Sequence, residues 1–123
     1  MKIWIDDIRQ APEGYVWCHS VNQVKELLNA HALCNPSNAR DTCTMLQCHG
    51  VQVTPKDMLS PIELIDIDHD SGDYARDGGD YVRVLDWLEE TNRNYPIRIH
   101  SMNPVGVQNM RAIIEYNDWE EVR

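Results

Sequence analysis

The stretch Pro61-Ile62-Glu63-Leu64-Ile65-Asp66-Ile67-Asp68 decides how this chain is read. Apolar residues at 62, 64, 65 and 67 mark a buried strand, and the run stops abruptly on Asp68-His69-Asp70. Upstream, Lys2-Ile3-Trp4-Ile5 is a second short strand that also ends on acids, Asp6-Asp7, and Tyr15-Val16-Trp17-Cys18-His19 is a third. Ser20 then caps a helix predicted from Val21 to about Ala30, with Val21, Val24, Leu27 and Leu28 on one face. Downstream, a Gly-rich loop runs to Gly79. It is followed by an amphipathic helix through Tyr81, Val84, Leu85 and Leu88, a strand at Pro96 to Ser101, and a helix capped by Asn103 with Pro104 at its first position. Trp119 to Arg123 reads as a last short strand. Strands alternating with helices predict an α/β layer fold with a mainly parallel sheet, whose ligand sites lie beyond the carboxyl ends of its strands.

Residues 32–60 interrupt the alternation with Asn35-Pro36-Ser37-Asn38, Gly50 and Pro55. They are too long for an ordinary connection and read as an insertion, with a hairpin expected around Cys43 to Val53. Cys34, Cys43 and Cys48 share this segment with His31 and His49, but no C-x-x-C pair is present, so ordinary reduced thiols are the better reading than zinc.

With 123 residues, the chain has the length of one domain. Twenty acids against eleven Lys and Arg give a formal charge of -9, which argues against extended duplex binding and against anionic membranes. No apolar run reaches membrane-spanning length and the first residues carry no signal-peptide pattern, so a cytoplasmic protein is expected. The charge is uneven: residues 61–80 hold seven acids and one base, six of the nine excess negative charges.

Asp66-x-Asp68-x-Asp70 has the opening spacing of an EF-hand loop. Ser71 stands where that loop needs glycine, Asp73 where it needs an apolar residue, and the approach is a strand instead of a helix. A better reading gathers acids from different strand ends. Asp6, Asp7 and Asp68 can converge on one Mg²⁺ or Mn²⁺, whose charge relieves the repulsion between them. His69 and His100 stand at loaded strand ends as candidate general acid or base, with Asp70 placed to orient His69 or to add a ligand. Ser101, Asn103 and the helix start, where Gly106 allows close approach, make a candidate phosphate cradle, and Arg9 is a further candidate phosphate partner. Tyr15 or Trp17 could stack on a base.

These residues resemble the receiver domains of response regulators, in which an acidic pair after the first strand and an Asp after the third surround Mg²⁺. More specifically, the chain resembles the cyclic-phosphate processing receiver domains. The matching segments are Lys2 to Arg9 with Pro12, Asp68-His69-Asp70 with Gly72, and Ile99-His100-Ser101-Met102-Asn103-Pro104-Val105-Gly106 with Asn109-Met110. The resemblance implies a receiver-like (flavodoxin-like) three-layer sandwich and metal-dependent handling of cyclic-phosphate ends of nucleotides or RNA. The expected ligand is therefore a single phosphorylated nucleotide end bridged to the acids through a cation. Ser71 departs from the family's usual Leu. The only lysines, Lys2, Lys25 and Lys56, lie in the first half, so the late lysine of a phosphorelay receiver is missing. Phosphate acceptance at Asp68, or a non-catalytic signalling or ligand-binding module, is the second reading.

Overall fold

A computed structural model describes residues 1–123. Its order is β1 (Lys2–Ile5), β2 (Tyr15–Cys18), α1 (Val21–Leu33), α2 (Ala39–Cys48), α3 (Pro55–Met58), β3 (Leu64–Ile67), α4 (Val82–Glu90), β4 (Ile97–Ile99) and α5 (Pro104–Tyr116), with a 3₁₀ turn at Gly72–Arg76. The strands form one all-parallel sheet in the order β2-β1-β3-β4. The chain therefore adopts the expected receiver-like α/β fold. Trp119–Arg123, expected as a strand, is reduced to a single parallel bridge between Ile97 and Glu121, with Val122 N–H donating to the Ile97 carbonyl at 2.8 Å.

The connections from β2 to β3 and from β3 to β4 step the same way across the sheet. Right-handed crossovers then place α1 and α4 on the same face, and the return from α5 to Glu121 adds α5 beside them. The strand side chains agree. Ile3, Ile5, Val16, Cys18, Ile65, Ile67 and Ile97 are buried in one core with Val24, Leu27, Leu85, Leu88, Met110 and Ile114 from those helices. The alternate residues Lys2, Trp4, Tyr15, Trp17, Leu64, Asp66 and Arg98 point the other way. Residues 6–14, which join β1 to β2, contain no helix. The second helical layer of a three-layer sandwich is accordingly replaced by this loop and the aromatic side chains it touches.

The insertion is helical, which corrects the hairpin expected around Cys43 to Val53. Ala39, Cys43 and Leu46 repeat at helical spacing and are buried, as are Val51, Val53 and Met58 after them. A short α3 follows, closed by a capping box between Thr54 and Asp57. All four cysteines are free thiols. His31 Nε2 bonds the Ser60 carbonyl and His49 Nδ1 bonds Glu26, so neither histidine turns toward the thiols.

Candidate metal and phosphate site

Three carboxylates meet beyond the carboxyl ends of β1 and β3. Asp6, Asp7 and Asp68 each bring one oxygen within 4.8 Å of the others, and this is the one grouping of potential metal ligands in the chain. Asp6 is 1 % exposed and held from several sides. Its Oδ1 accepts from the N–H groups of Ile8 and Arg9, both at 2.9 Å, in an Asx turn that also sends the chain away from the sheet. Its Oδ2 lies 2.9 Å from His100 Nε2, and its backbone carbonyl accepts from the Trp17 indole at 2.7 Å. Burial works against its charge, but the Arg9 and Ile8 amides and His100 outweigh it and hold the carboxyl below the ordinary aspartate range. Asp7 is the converse: burial foremost, then the charges of Asp6 and Asp68, push its carboxyl up against the pull of its own backbone N–H. Gly72 makes room for it. Its φ is +54°, and a Cβ there would stand 2.5 Å from Asp7 Oδ2.

His100 is built into the sheet more firmly than its place at a strand end suggests. Its Nδ1 lies 2.7 Å from Asp66 Oδ1 while Nε2 lies against Asp6, and its ring stacks on Trp4 at 3.8 Å with planes 3° apart. Carboxylates only accept, so two hydrogen bonds in this Asp66-His100-Asp6 triad require two protons among three groups, leaving one net negative charge. The group is 10 % exposed at the histidine and 2 % at Asp66. Asp66, considered from sequence only as part of a calcium loop, is thus a supporting residue of the site.

A second group forms where the chain after β3 meets the start of α5. His69 Nδ1 lies 2.9 Å from Asp70 Oδ1, and the Asn103 amide nitrogen stands 3.5 Å from both. Asp68 Oδ1 accepts from the His69 backbone N–H at 2.8 Å, which joins this group to the acids. The cradle expected at α5 differs from its reading. Gly106 N–H donates to Asn103 Oδ1 and Val107 N–H to the Asn103 carbonyl, so two of the expected anion donors close the helix cap instead. A Cβ on Gly106 would stand far inside van der Waals contact with His69 Cγ; this glycine therefore admits His69. Ser101 Oγ accepts from Asn103 N–H at 3.1 Å and keeps its own hydrogen to donate. Arg9 reaches back over the end of β4 to the His100 carbonyl, 3.2 Å from its guanidinium.

Sequence reasoning also passed over His19, at the end of β2. It stacks on Trp17 at 4.3 Å, and burial holds its imidazole below the ordinary range despite Gln23 and the acids Asp6 and Asp7. Beneath the acids, Tyr81 is fully buried and donates to the His19 carbonyl at 2.6 Å. Burial, and the nearby charges of Asp7, Asp6 and Asp68, keep its phenol from ionising.

No helix is long and apolar enough to cross a membrane. No curated protein and no solved structure matches the chain. The family model described as the cyclic-phosphate processing receiver domain matches residues 1–116. A parallel receiver-like sheet, an acid cluster at its carboxyl edge and a match over nearly the whole length agree: the chain belongs to the cyclic-phosphate processing receiver domain family.

Proposed function

We propose that this site binds a divalent cation, Mg²⁺ or Mn²⁺, through Asp6, Asp7 and Asp68, and opens the cyclic phosphate at the end of a nucleotide or RNA with water. The observation that carries the reading is the cluster itself. Three carboxylates that each bring an oxygen within 4.8 Å of the others, with Asp7 pushed up by burial and then by the charges of Asp6 and Asp68, form a donor set that suits a hard cation. A bound cation would offset charge on the phosphoryl oxygens and ease deprotonation of water.

The chain's own residues supply the rest. Asp70 bonds His69 Nδ1 and orients the ring, which leaves Nε2 to take a proton from the attacking water and return it to the departing ribose oxygen as its bond to phosphorus breaks. Ser101 Oγ and the Arg9 guanidinium are the donors offered to phosphoryl oxygens, and Asn103 positions His69 and Asp70. His100, with both ring nitrogens engaged, positions Asp6 and does not shuttle protons.

Calorimetry with Mn²⁺, together with phosphorus NMR on adenosine 2′,3′-cyclic phosphate, tests this directly. Metal binding that is lost in Asp68→Asn, and ring opening that falls by about 10²–10⁴ in His69→Ala, are expected. Absence of both metal binding and turnover would overturn the proposal. Metal binding with a phosphorylated Asp68 after acetyl phosphate treatment, and no ring opening, would replace it with a phosphate-accepting module.

A further inference from the structure

All-parallel sheets are almost always covered on both faces, because crossover helices land on each. Here every crossover helix lies on one face, and the strands leave Lys2, Trp4, Tyr15, Trp17, Leu64 and Arg98 half-buried or exposed on the other. The register places Trp17, Trp4, Asp66 and Arg98 in one row across β2, β1, β3 and β4, with Tyr15, Lys2 and Leu64 in the next. Three strand spacings set the first row at about 14 Å between the β2 and β4 positions.

The charge on this face runs against the chain as a whole. In a protein of net charge -9, the strand residues that carry charge to solvent here are Lys2 and Arg98, while Asp66 is 2 % exposed and bonded to His100. Lys2 Nζ lies 5.7 Å from the centre of the Tyr15 ring, and Tyr15 meets Trp4 edge-on at 5.8 Å. The face is also continuous with the site. Trp17 donates to the Asp6 carbonyl, Trp4 stacks on His100 and donates to the Arg9 carbonyl, and Arg9 reaches the His100 carbonyl.

We propose that this sheet face binds the single-stranded nucleic acid leading up to the reacting phosphate, stacking bases on Tyr15, Trp17 and Trp4 and pairing phosphates with Lys2 and Arg98. The inference deepens the catalytic reading and rests on it for the position of the strand's end. Aromatic rings side by side on a four-stranded sheet, flanked by cations, form the type of platform on which two or three unpaired bases stack, here on the ring faces that His100 and His19 leave open. A second copy of the chain fits less well, since a two-fold pairing of this face with itself sets like charges, Lys2 and Arg98, against one another. A rigid duplex offers no unstacked bases to the rings.

The test is fluorescence anisotropy with a labelled oligoadenylate of about ten nucleotides ending in a 3′-phosphate, against 3′-AMP and a duplex of the same length as competitors. The single strand is expected to bind at least about tenfold tighter than 3′-AMP, with a salt slope that falls by about 1.4 in the double variant Lys2→Gln/Arg98→Gln. That variant neutralises two exposed side chains and sets no like charge beside Asp66, the cross-strand partner of Arg98, so its fold and its turnover of adenosine 2′,3′-cyclic phosphate should be unchanged. Binding no tighter than 3′-AMP, indifference to the two replacements, or equal competition by the duplex would each overturn the inference. So would a concentration-dependent dimer that the replacements abolish. A protein that opens the cyclic phosphate but fails these tests loses the sheet-face inference alone. One that holds the single strand through Lys2 and Arg98 but neither binds Mn²⁺ nor opens the ring loses the catalytic reading alone.

Discussion

Replacing His100 by Ala isolates what the buried triad contributes. The ring sits between Asp6, 1 % exposed, and Asp66, 2 % exposed, at 2.9 and 2.7 Å. The two acids lose different things in the variant. Asp6 keeps the amides of Ile8 and Arg9, whereas His100 is the only hydrogen-bond partner of the Asp66 carboxylate. Asp66 becomes a buried carboxylate without a donor, which costs about 3–5 kcal/mol. Loss of the stacked ring beneath Trp4 adds about 0.5–1.5 kcal/mol. A total of about 4–6 kcal/mol would consume much of the stability of a domain held by about 5–15 kcal/mol. Urea unfolding at neutral pH, followed by tryptophan fluorescence, should show the midpoint falling by about 2–3 M for a slope near 2 kcal/mol per M. Adding Asp66→Asn to His100→Ala removes the stranded charge and should recover about 2 kcal/mol, although each change alone removes a native partner. A midpoint shift worth less than about 1 kcal/mol, or a double variant no more stable than His100→Ala, would refute the triad as a charge-supporting unit.

Asp7→Asn removes an acid that burial foremost, and then the charges of Asp6 and Asp68, push up, so in chelator-treated buffer its melting temperature should rise by about 1–4 °C after allowance for solvent screening. Mg²⁺ should raise the melting temperature of the parent protein and leave that of this variant unchanged, and a fall in the metal-free melting point would count against burial and mutual repulsion as the burden on Asp7. Gly106→Ala should destabilise by about 1–3 kcal/mol despite the gain in helix propensity, because the new methyl group collides with the His69 ring. It should also slow cyclic-phosphate opening, and calorimetry and turnover together check both effects. Hydrogen bonds from Ser20 and Asn22 hold Asp77 below its ordinary value of 3.8. A carboxyl depressed by folding contributes stability that is present above its unfolded value and lost as the pH falls through the depressed one. The acid limb of the stability curve below about pH 4 should therefore flatten in Asp77→Asn, and an unchanged limb from pH 5 down to 2 would show that the contact carries nothing.

Strand-end chemistry was open to sequence reasoning because short apolar runs that stop on acids leave little choice about where the acids stand. Asp6, Asp7 and Asp68 meet for that reason. Asp66 was harder. It lies inside the run, and its partner His100 is 34 residues away, a pairing set by β3 lying beside β4. A signal was nonetheless present: an ionisable residue flanked by Ile65 and Ile67 in a buried strand needs a partner. The insertion reads as a hairpin only while Cys43 counts as a thiol. Treated as a small apolar residue it completes Ala39, Cys43 and Leu46, a helical stripe that the core confirms. Gly106 was read as admitting a phosphate, since nothing in the one-dimensional pattern shows that His69 would turn onto it.

The missing helix between β1 and β2 and the buried triad are two sides of one arrangement. With no helix over the second face, the polar end of β1 has no apolar layer to shield it, and a 1 %-exposed carboxylate there must be held by its own surroundings. The chain meets that need from three directions: the Asx turn supplies two amides, the residue just after β4 is His100, and Trp17 and Trp4 flank the site while bonding the carbonyls of Asp6 and Arg9. Each of these contacts is local to the open face, so a helix docked there would have to displace the indoles that now shield Asp6. Asp6 is thereby fixed before any cation arrives, while Asp7, pushed up by burial and then by the charges of Asp6 and Asp68, is the acid whose ionised form a cation would favour. The open face is therefore coupled to the site through Asp6: a ligand that stacks on Trp4 or Trp17 bears on the residues that orient a carboxylate of the acid cluster, and on the proposed reading occupancy of the face and of the cluster should be cooperative.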